Sequence, residues 1–387
     1  MPYTFGSPRR EWMGTRLLAE QAFSRAAGAP LLSGNSVTLL RDATQNYPRW
    51  LEAIGAARER ICFENYIIQP DAVGQQFAAA LAEKARSGVR VRLIYDWLGS
   101  LSLGSRAFWR RLTEAGVEVR CFNPPRLDSP LGWVSREHRK SIAIDGRVGF
   151  VSGICISRRW LGSGGEPWRD TGLEIRGPAV ADIERAFAEV WALLGPPIPA
   201  AELARRDGAE QNAGGVDLRV VATAPSSAGL FRLDQLIAAL ARKRLWLADA
   251  YFVGASTYVQ ALCAAATDGV DVRLLVPGTS DLPLLTPLSR AGYRPLLEAG
   301  IRVFEWNGPM MHAKTAVADG RWARVGSSNL NIASWIGNYE LDVTVENEAF
   351  AREMEHMYLE DLERSTEVVL QQRRPRRALS AVPPRAR

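Results

Sequence analysis

Histidine and lysine are scarce in this chain of 387 residues: there are three histidines, His138, His312 and His356, and four lysines, Lys84, Lys140, Lys243 and Lys314. Cysteine is equally sparse. Cys62, Cys121, Cys155 and Cys263 stand singly, with no CxxC pair and no metal-ligand spacing, which argues against a disulfide scaffold and suits small thiols in a reducing compartment. No apolar signal stretch follows Met1, because Met1 to Arg10 runs straight into proline, glycine and charge. The longest uncharged run, Ala250 to Thr267, contains Gly254, Ser256, Thr257 and Gln260 and reads as strand, loop and helix rather than as a membrane span. A protein held in the cytosol or on a membrane surface is expected.

With 47% hydrophobic and 23% charged residues the composition is that of a folded soluble chain. Basic residues exceed acidic ones, 48 to 42, for a net charge of +6. The last seventeen residues, Gln371 to Arg387, hold six arginines and no acid, so six minus six leaves a body near neutrality. A basic groove for nucleic acid is therefore not expected. The tail has the composition to rest on an anionic leaflet, at about 1 kcal/mol per arginine.

The chain repeats itself. Ser87-Gly88-Val89-Arg90-Val91-Arg92-Leu93 returns as Asp268-Gly269-Val270-Asp271-Val272-Arg273-Leu274, and Glu114-Ala115-Gly116-Val117 as Glu298-Ala299-Gly300-Ile301. His138, Lys140 and Asp145 return as His312, Lys314 and Asp319, each displaced by 174 residues. A long period seen twice means a duplicated domain and not a solenoid. Each half alternates helices with short apolar strands, for example a helix from Tyr47 to Arg58, a strand from Arg60 to Ile68, a helix from Val73 to Ser87 and a strand from Val89 to Tyr95. The expected organisation is an N-terminal segment 1–30, a first α/β domain 31–194, a linker 195–215, a second α/β domain 216–365 and a basic tail 366–387.

In a chain that uses arginine for almost all positive charge, lysine at matching places in both halves signals a need for a compact ammonium. Histidine and lysine two apart on an extended segment project from one face, so each half presents an imidazole beside an ammonium. Two such pairs across a pseudo-dyad make a cleft for phosphate: the ammonium groups stabilise its charge, one neutral imidazole attacks phosphorus, and the other protonates the leaving oxygen. The lysines supply the charge a metal would otherwise bring, so neither a metal nor a cofactor is expected. Asp145 and Asp319 each precede a glycine and read as turn residues as much as catalytic ones. His356 reads as a surface or packing residue, and Phe108, Trp109 and Trp133 as packing or a lipid-contacting rim.

These two HxKxxxxD patterns resemble the signatures of the phospholipase D superfamily, and Gly326-Ser327-Ser328-Asn329 is similar to its small-residue and Asn segment. The resemblance implies duplicated phospholipase D-like domains, each a mixed β-sheet flanked by helices, around a pseudo-twofold cleft. It implies catalytic roles for His138, Lys140, Asp145, His312, Lys314 and Asp319, phosphate contacts from Ser327 and Asn329, and carboxylates orienting the histidines at Asp170 and Glu340. The first half departs from the pattern with Ser152-Gly153-Ile154-Cys155, where Cys155 replaces the asparagine. Glu64-Asn65-Tyr66-Ile67, Gly88 to Trp97 and Ala250-Tyr251-Phe252-Val253 are similar to bacterial cardiolipin synthases, in particular the shorter B-type without an N-terminal membrane hairpin. The implied activity is phosphatidyl transfer to phosphatidylglycerol through a phosphohistidine, with His138 as nucleophile. Its partners would be anionic phospholipids at the cytoplasmic face of the bacterial cell membrane, bound peripherally. Hydrolysis of phospholipids, a metal-independent nuclease and a binding module with a dead site are the alternatives, and the oligomeric state stays open.

Overall fold

The computed structural model describes residues 8–101, 105–125, 135–162, 164–206, 212–283 and 285–370, so Trp133 and the arginine tail from 371 onward lie outside the described residues. Helix α1 (Pro8–Ala27) precedes a first half that runs β1 (Leu32–Arg41), α2 (Asp42–Ala56), β2 (Arg60–Asn65), α3 (Ala72–Arg86), β3 (Arg90–Asp96), α4 (Ser105–Glu114), β4 (Glu118–Phe122), β5 (Lys140–Ile144), β6 (Val148–Ser152), β7 (Thr171–Arg176) and α5 (Val180–Leu193). The second half repeats the order as β8 (Val216–Thr223), α6 (Gly229–Leu240), β9 (Arg244–Ala248), α7 (Ser256–Thr267), β10 (Asp271–Pro277), α8 (Leu285–Ala291), α9 (Tyr293–Glu298), β11 (Arg302–Trp306), β12 (Thr315–Ala318), β13 (Trp322–Gly326), β14 (Glu340–Glu346) and α10 (Glu348–Glu363). A last strand, β15 (Ser365–Val368), pairs antiparallel with β11, so residues expected to open the tail belong to the sheet.

The two expected sheets are joined into one. Outward from the centre the strands run β1-β7-β6-β5-β2-β3-β4 on one side and β8-β14-β13-β12-β9-β10-β11 on the other, the same series of equivalents. Within each half the last three strands of this series, β2-β3-β4 and β9-β10-β11, are parallel, and the others pair antiparallel, β15 at the outer edge included. The joint itself is the short β1–β8 pairing at Leu32–Leu218 and Asn35–Val216. Fully buried Asn35 spans it, its Nδ2 donating to the Leu32 carbonyl at 2.7 Å and across the joint to the Val216 carbonyl at 3.3 Å, its Oδ1 accepting from the Ala179 N–H at 2.9 Å.

Strand alternation sorts the core into layers. On β2, Ile61 and Phe63 pack beneath α2 and α3 while Cys62 faces the layer of α5. On β9, Leu245 and Leu247 pack beneath α6 and α7 while Trp246 faces the layer of α10. The repeated Gly88 and Gly269 both stand just past a helix end at φ +91°, the left-handed position where a side chain is strained. Helix α2 begins at Asp42, five residues before the expected start at Tyr47, and β2 ends at Asn65, before the expected Ile68.

Asp145 and Asp319 are turn residues. With Gly146 and Gly320 they have positive φ (+54°, +64° and +52°, +64°), the geometry of a type I′ hairpin between β5 and β6 and between β12 and β13. The Asp145 carboxylate accepts the backbone N–H groups of Arg58, Glu59 and Arg60, each at 2.8 Å. Asp319 does the same for Arg242, Lys243 and Arg244 at 2.8–3.0 Å. Replacing Asp319 by alanine is therefore expected to lower stability by about 1–3 kcal/mol while the folded enzyme keeps a wild-type kcat. Denaturant unfolding beside steady-state kinetics checks this; a loss of kcat without loss of stability would return Asp319 to the chemistry.

Candidate active site

His138 and His312 do not lie in the strands that follow them. Each sits just ahead, in a segment that crosses to the other half: the His138 N–H donates to the Tyr339 carbonyl at 2.9 Å, and the His312 N–H to the Arg169 carbonyl at 2.7 Å. The parallel bridges Glu137–Tyr339 and Arg169–Met311 fix the same crossing. Consequently each imidazole meets the carboxylate that follows its backbone partner, and the pairs are exchanged between halves. His138 Nδ1 lies 2.8 Å from Glu340 Oε2, and His312 Nδ1 lies 2.7 Å from Asp170 Oδ2. Both carboxylates are fully buried, and a carboxylate on Nδ1 directs the reactive lone pair to Nε2.

The lysines are buried too, and each Nζ donates to the carbonyl of the histidine two residues before it. Lys314 Nζ lies 3.0 Å from His312 Nε2. Tyr66 and Tyr251 complete the two halves. The Tyr66 ring meets His138 edge-on at 4.9 Å and carries Lys140 Nζ at 5.2 Å; the Tyr251 ring meets His312 at 5.8 Å and carries Lys314 Nζ at 5.7 Å. These cation–π contacts steady ammonium groups that burial has stripped of water.

Around His312 the wall is heavier. Trp160 stands edge-on at 5.3 Å, Trp168 is tilted at 6.0 Å, and the Trp160 indole donates to Asp170 Oδ2 at 3.0 Å. Around Glu340 that donor's place is taken by the Ser327 hydroxyl at 2.6 Å. Asn329 is buried nearby in sequence with its Oδ1 unpartnered among the described residues. Burial pushes the Cys155 thiol up to about 11, with the charges of Lys140 and Lys314 opposing.

Electrostatics ties both motifs into one cluster. Burial, with the neighbouring lysines and against Asp170, brings His312 down to about 4. Burial lowers His138 as well, against the pull of Glu340. Burial, opposed by Asp170 and reinforced by Lys140, lowers Lys314 to about 8, and burial lowers Lys140 in the same direction. Burial works to raise Asp170 and Glu340, yet the imidazole and lysine beside each outweigh it and both stay below the ordinary carboxylate range. The resting cluster thus holds two ammonium groups, two carboxylates and two neutral imidazoles.

The structure gathers His138, Lys140, His312, Lys314, Asp170, Glu340 and Ser327 of the residues expected from sequence. It leaves Asp145 and Asp319 at the far ends of their strands, roughly 16 Å along from the lysines at about 3.3 Å per residue. His356 Nε2 lies 3.0 Å from Glu360 Oε1 on exposed helix surface. The sequence reading missed Tyr66, Tyr251, Trp160 and Trp168 as site residues. The tyrosines carried a signal, being displaced by 185 residues in equivalent strand ends.

The family described as cardiolipin synthase, PLD-like domain, matches residues 50–191 and 234–362. Cardiolipin synthase A of Pseudomonas aeruginosa is 34% identical over 385 residues, covering 96% of this chain and 77% of its own. Cardiolipin synthase of Alkalihalophilus pseudofirmus is 33% identical over 352 residues, covering 88% and 68%. These names place the likeness at the level of cardiolipin synthase, without the B-type distinction. Among solved structures, phosphatidylserine synthase of Haemophilus influenzae superposes with a TM-score of 0.70 at 16% identity over 91% of this chain and 92% of that one, which establishes the shared fold. With both halves matched by the family and relatives at this identity across most of the sequence, the chain belongs to the cardiolipin synthase family of phospholipase D-like proteins.

Proposed function

We propose that the protein is a cardiolipin synthase that joins two phosphatidylglycerol molecules. The observation that carries this reading is the exchanged pairing of each histidine with the other half's carboxylate, which draws two imidazoles and two ammonium groups into one electrostatically coupled cluster suited to an anion. In the first step the Nε2 lone pair of His138 attacks the donor's phosphorus, the bond to the headgroup glycerol oxygen breaks, and that oxygen takes a proton from His312. In the second, the acceptor's glycerol hydroxyl returns a proton to His312, its oxygen attacks phosphorus, and the nitrogen–phosphorus bond breaks. The products are cardiolipin and glycerol. Deep burial makes the His312 imidazolium a strong acid, and the entering phosphate anion supplies the field that holds its proton until the leaving oxygen needs it.

The substrates on this reading are anionic phospholipids, met at the cytoplasmic face of the cell membrane by a peripherally bound enzyme. Among the described residues no helix is long and apolar enough to cross a membrane. Asp170, Glu340 and Ser327 orient the histidines, while Lys140, Lys314 and Asn329 hold the phosphate.

Phosphatidylglycerol vesicles incubated in EDTA with wild type, His138→Ala or His312→Ala, with lipids resolved by mass, test the reaction. Cardiolipin from wild type is expected, with roughly 10²–10⁴-fold less from either variant, and labelled phosphatidyl trapped on His312→Ala but not on His138→Ala. Phosphatidic acid alone would make the protein a hydrolase. No lipid product would favour the nuclease reading, and label trapped on His138→Ala would overturn the nucleophile.

The rate should also titrate with Lys314. Its ammonium is present below about pH 8 and lost above it, so kcat/KM is expected to fall as the pH rises through 8. A profile on short-chain phosphatidylglycerol that stays flat to about pH 10, where an ordinary lysine titrates, would remove Lys314 from phosphate binding.

A further inference from the structure

Transfer to phosphatidylglycerol places two phosphates in one active site, because the acceptor carries its own phosphodiester a three-carbon span from the attacking hydroxyl. The two lysines and two histidines are occupied with the phosphate that is transferred. A second group of cations is needed for the other, and it must lie beside the histidine that receives the acceptor's proton.

A cavity of about 390 Å³ has Asp71, Ser157, Arg158, Arg159, Gly162 and Trp168 in its lining. One wall, Trp168, is the ring that packs against His312 at 6.0 Å. Neither guanidinium has a hydrogen-bond or ion-pair partner among the described residues. The one carboxylate in the lining is turned to the backbone and makes no ion pair with either: Asp71 Oδ1 accepts from the Gly74 N–H at 3.1 Å, and Oδ2 from the Ser157 hydroxyl at 2.9 Å and the Arg158 N–H at 2.7 Å. Two exposed arginines without an ion-pair partner among the described residues therefore line the cavity against a single carboxylate, which leaves the lining with one net positive charge.

The duplication provides the internal comparison. The displacement of 174 residues that relates His138 to His312 carries Arg158 and Arg159 to Ile332 and Ala333. Ile332 is 59% exposed, so the matching place in the second half is open but apolar. The cation pair occurs on one side of the pseudo-dyad, and that side is the side of His312.

We propose that Arg158 and Arg159 bind the phosphodiester of the acceptor phosphatidylglycerol and so favour transfer to lipid over transfer to other alcohols. This rests on the cardiolipin synthase reading above. The guanidiniums hold the acceptor phosphate by charge-assisted hydrogen bonds while the hydroxyl beyond it reaches the phosphohistidine, with His312 taking the proton. Ethanol and water have no phosphate and gain nothing from this pocket.

The test is a competition that shares one donor step. Phosphatidylglycerol vesicles containing ethanol are given to wild type, Arg158→Gln/Arg159→Gln and Arg158→Lys/Arg159→Lys, and cardiolipin is measured against phosphatidylethanol. The glutamine pair is expected to lower that ratio about tenfold or more, and the lysine pair, which keeps the charge, to recover part of it. Wild type that forms cardiolipin beside a glutamine variant with an unchanged ratio, or with both products reduced alike, overturns the pocket alone. Wild type that forms phosphatidylethanol or phosphatidic acid without cardiolipin overturns the function and the pocket together.

Discussion

The contact on which the site depends is the hydrogen bond from each imidazole to a carboxylate of the opposite half, Glu340 for His138 and Asp170 for His312. Neither half can orient its own histidine. The backbone bridges at Tyr339 and Arg169 and the carboxylates that follow them act as one unit, so a small sliding of one half on the other would spoil both imidazoles together. Arg139, between the first histidine and lysine, shows how that sliding is resisted. It is buried and donates to the Ala186, Thr223 and Glu340 carbonyls at 2.7–3.1 Å, the last two across the joint. Its counterpart is Ala313, so one long cation locks an interface whose symmetric partner position needs only a methyl group.

Charge balance explains how so many ionisable groups tolerate burial. Lys140 and Lys314 offset Glu340 and Asp170 while both imidazoles stay neutral, so the motif residues sum to zero without substrate. A phosphodiester brings one negative charge, and protonation of one imidazole restores the balance. On the proposed function, substrate binding and uptake of a single proton would thereby be coupled by desolvation, since an unbalanced charge in this volume is costly. The low proton affinity of His312 is a consequence of the same burial, and in the proposed mechanism it would make the proton available once the leaving oxygen develops charge.

How much of this was legible in the sequence follows from what a linear pattern can encode. The duplication, the α/β layering and the recurrence of the His and Lys pairs are local patterns repeated along the chain, and they were read directly. The joining of two sheets at β1 and β8 was not, because Asn35 satisfies a junction that no hydrophobic alternation marks. Asp145 and Asp319 were grouped with the catalytic residues because the motif counts residues along the chain, whereas a strand carries the fifth residue away from the lysine to the opposite edge. Asp170 and Glu340 were identified by resemblance, but the exchange between halves is a property of three-dimensional crossing. Tyr66 and Tyr251 sit outside the motif on a different displacement, 185 rather than 174, because the two halves differ in loop length between β2 and β5.

The departures from symmetry are themselves physical compensations. Asp170 is one methylene shorter than Glu340, so its backbone must stand closer to the histidine it serves. A Cβ on Gly153 would come within 2.3 Å of Asp170 Oδ1, which is why the first half has glycine where the second has Ser327. Glycine cannot supply the hydroxyl that Ser327 gives Glu340, and the Trp160 indole supplies the missing donor to Asp170 instead. From Gly153 to Asp170 the chain takes four residues more than from Ser327 to Glu340, and within this longer excursion Trp160 and Trp168 close over His312. A shorter acid, a glycine, a borrowed indole and an extended loop form one linked set of changes. Together they turn a duplicated site into one whose two sides are chemically distinct, with a hydroxyl serving one carboxylate and an indole the other.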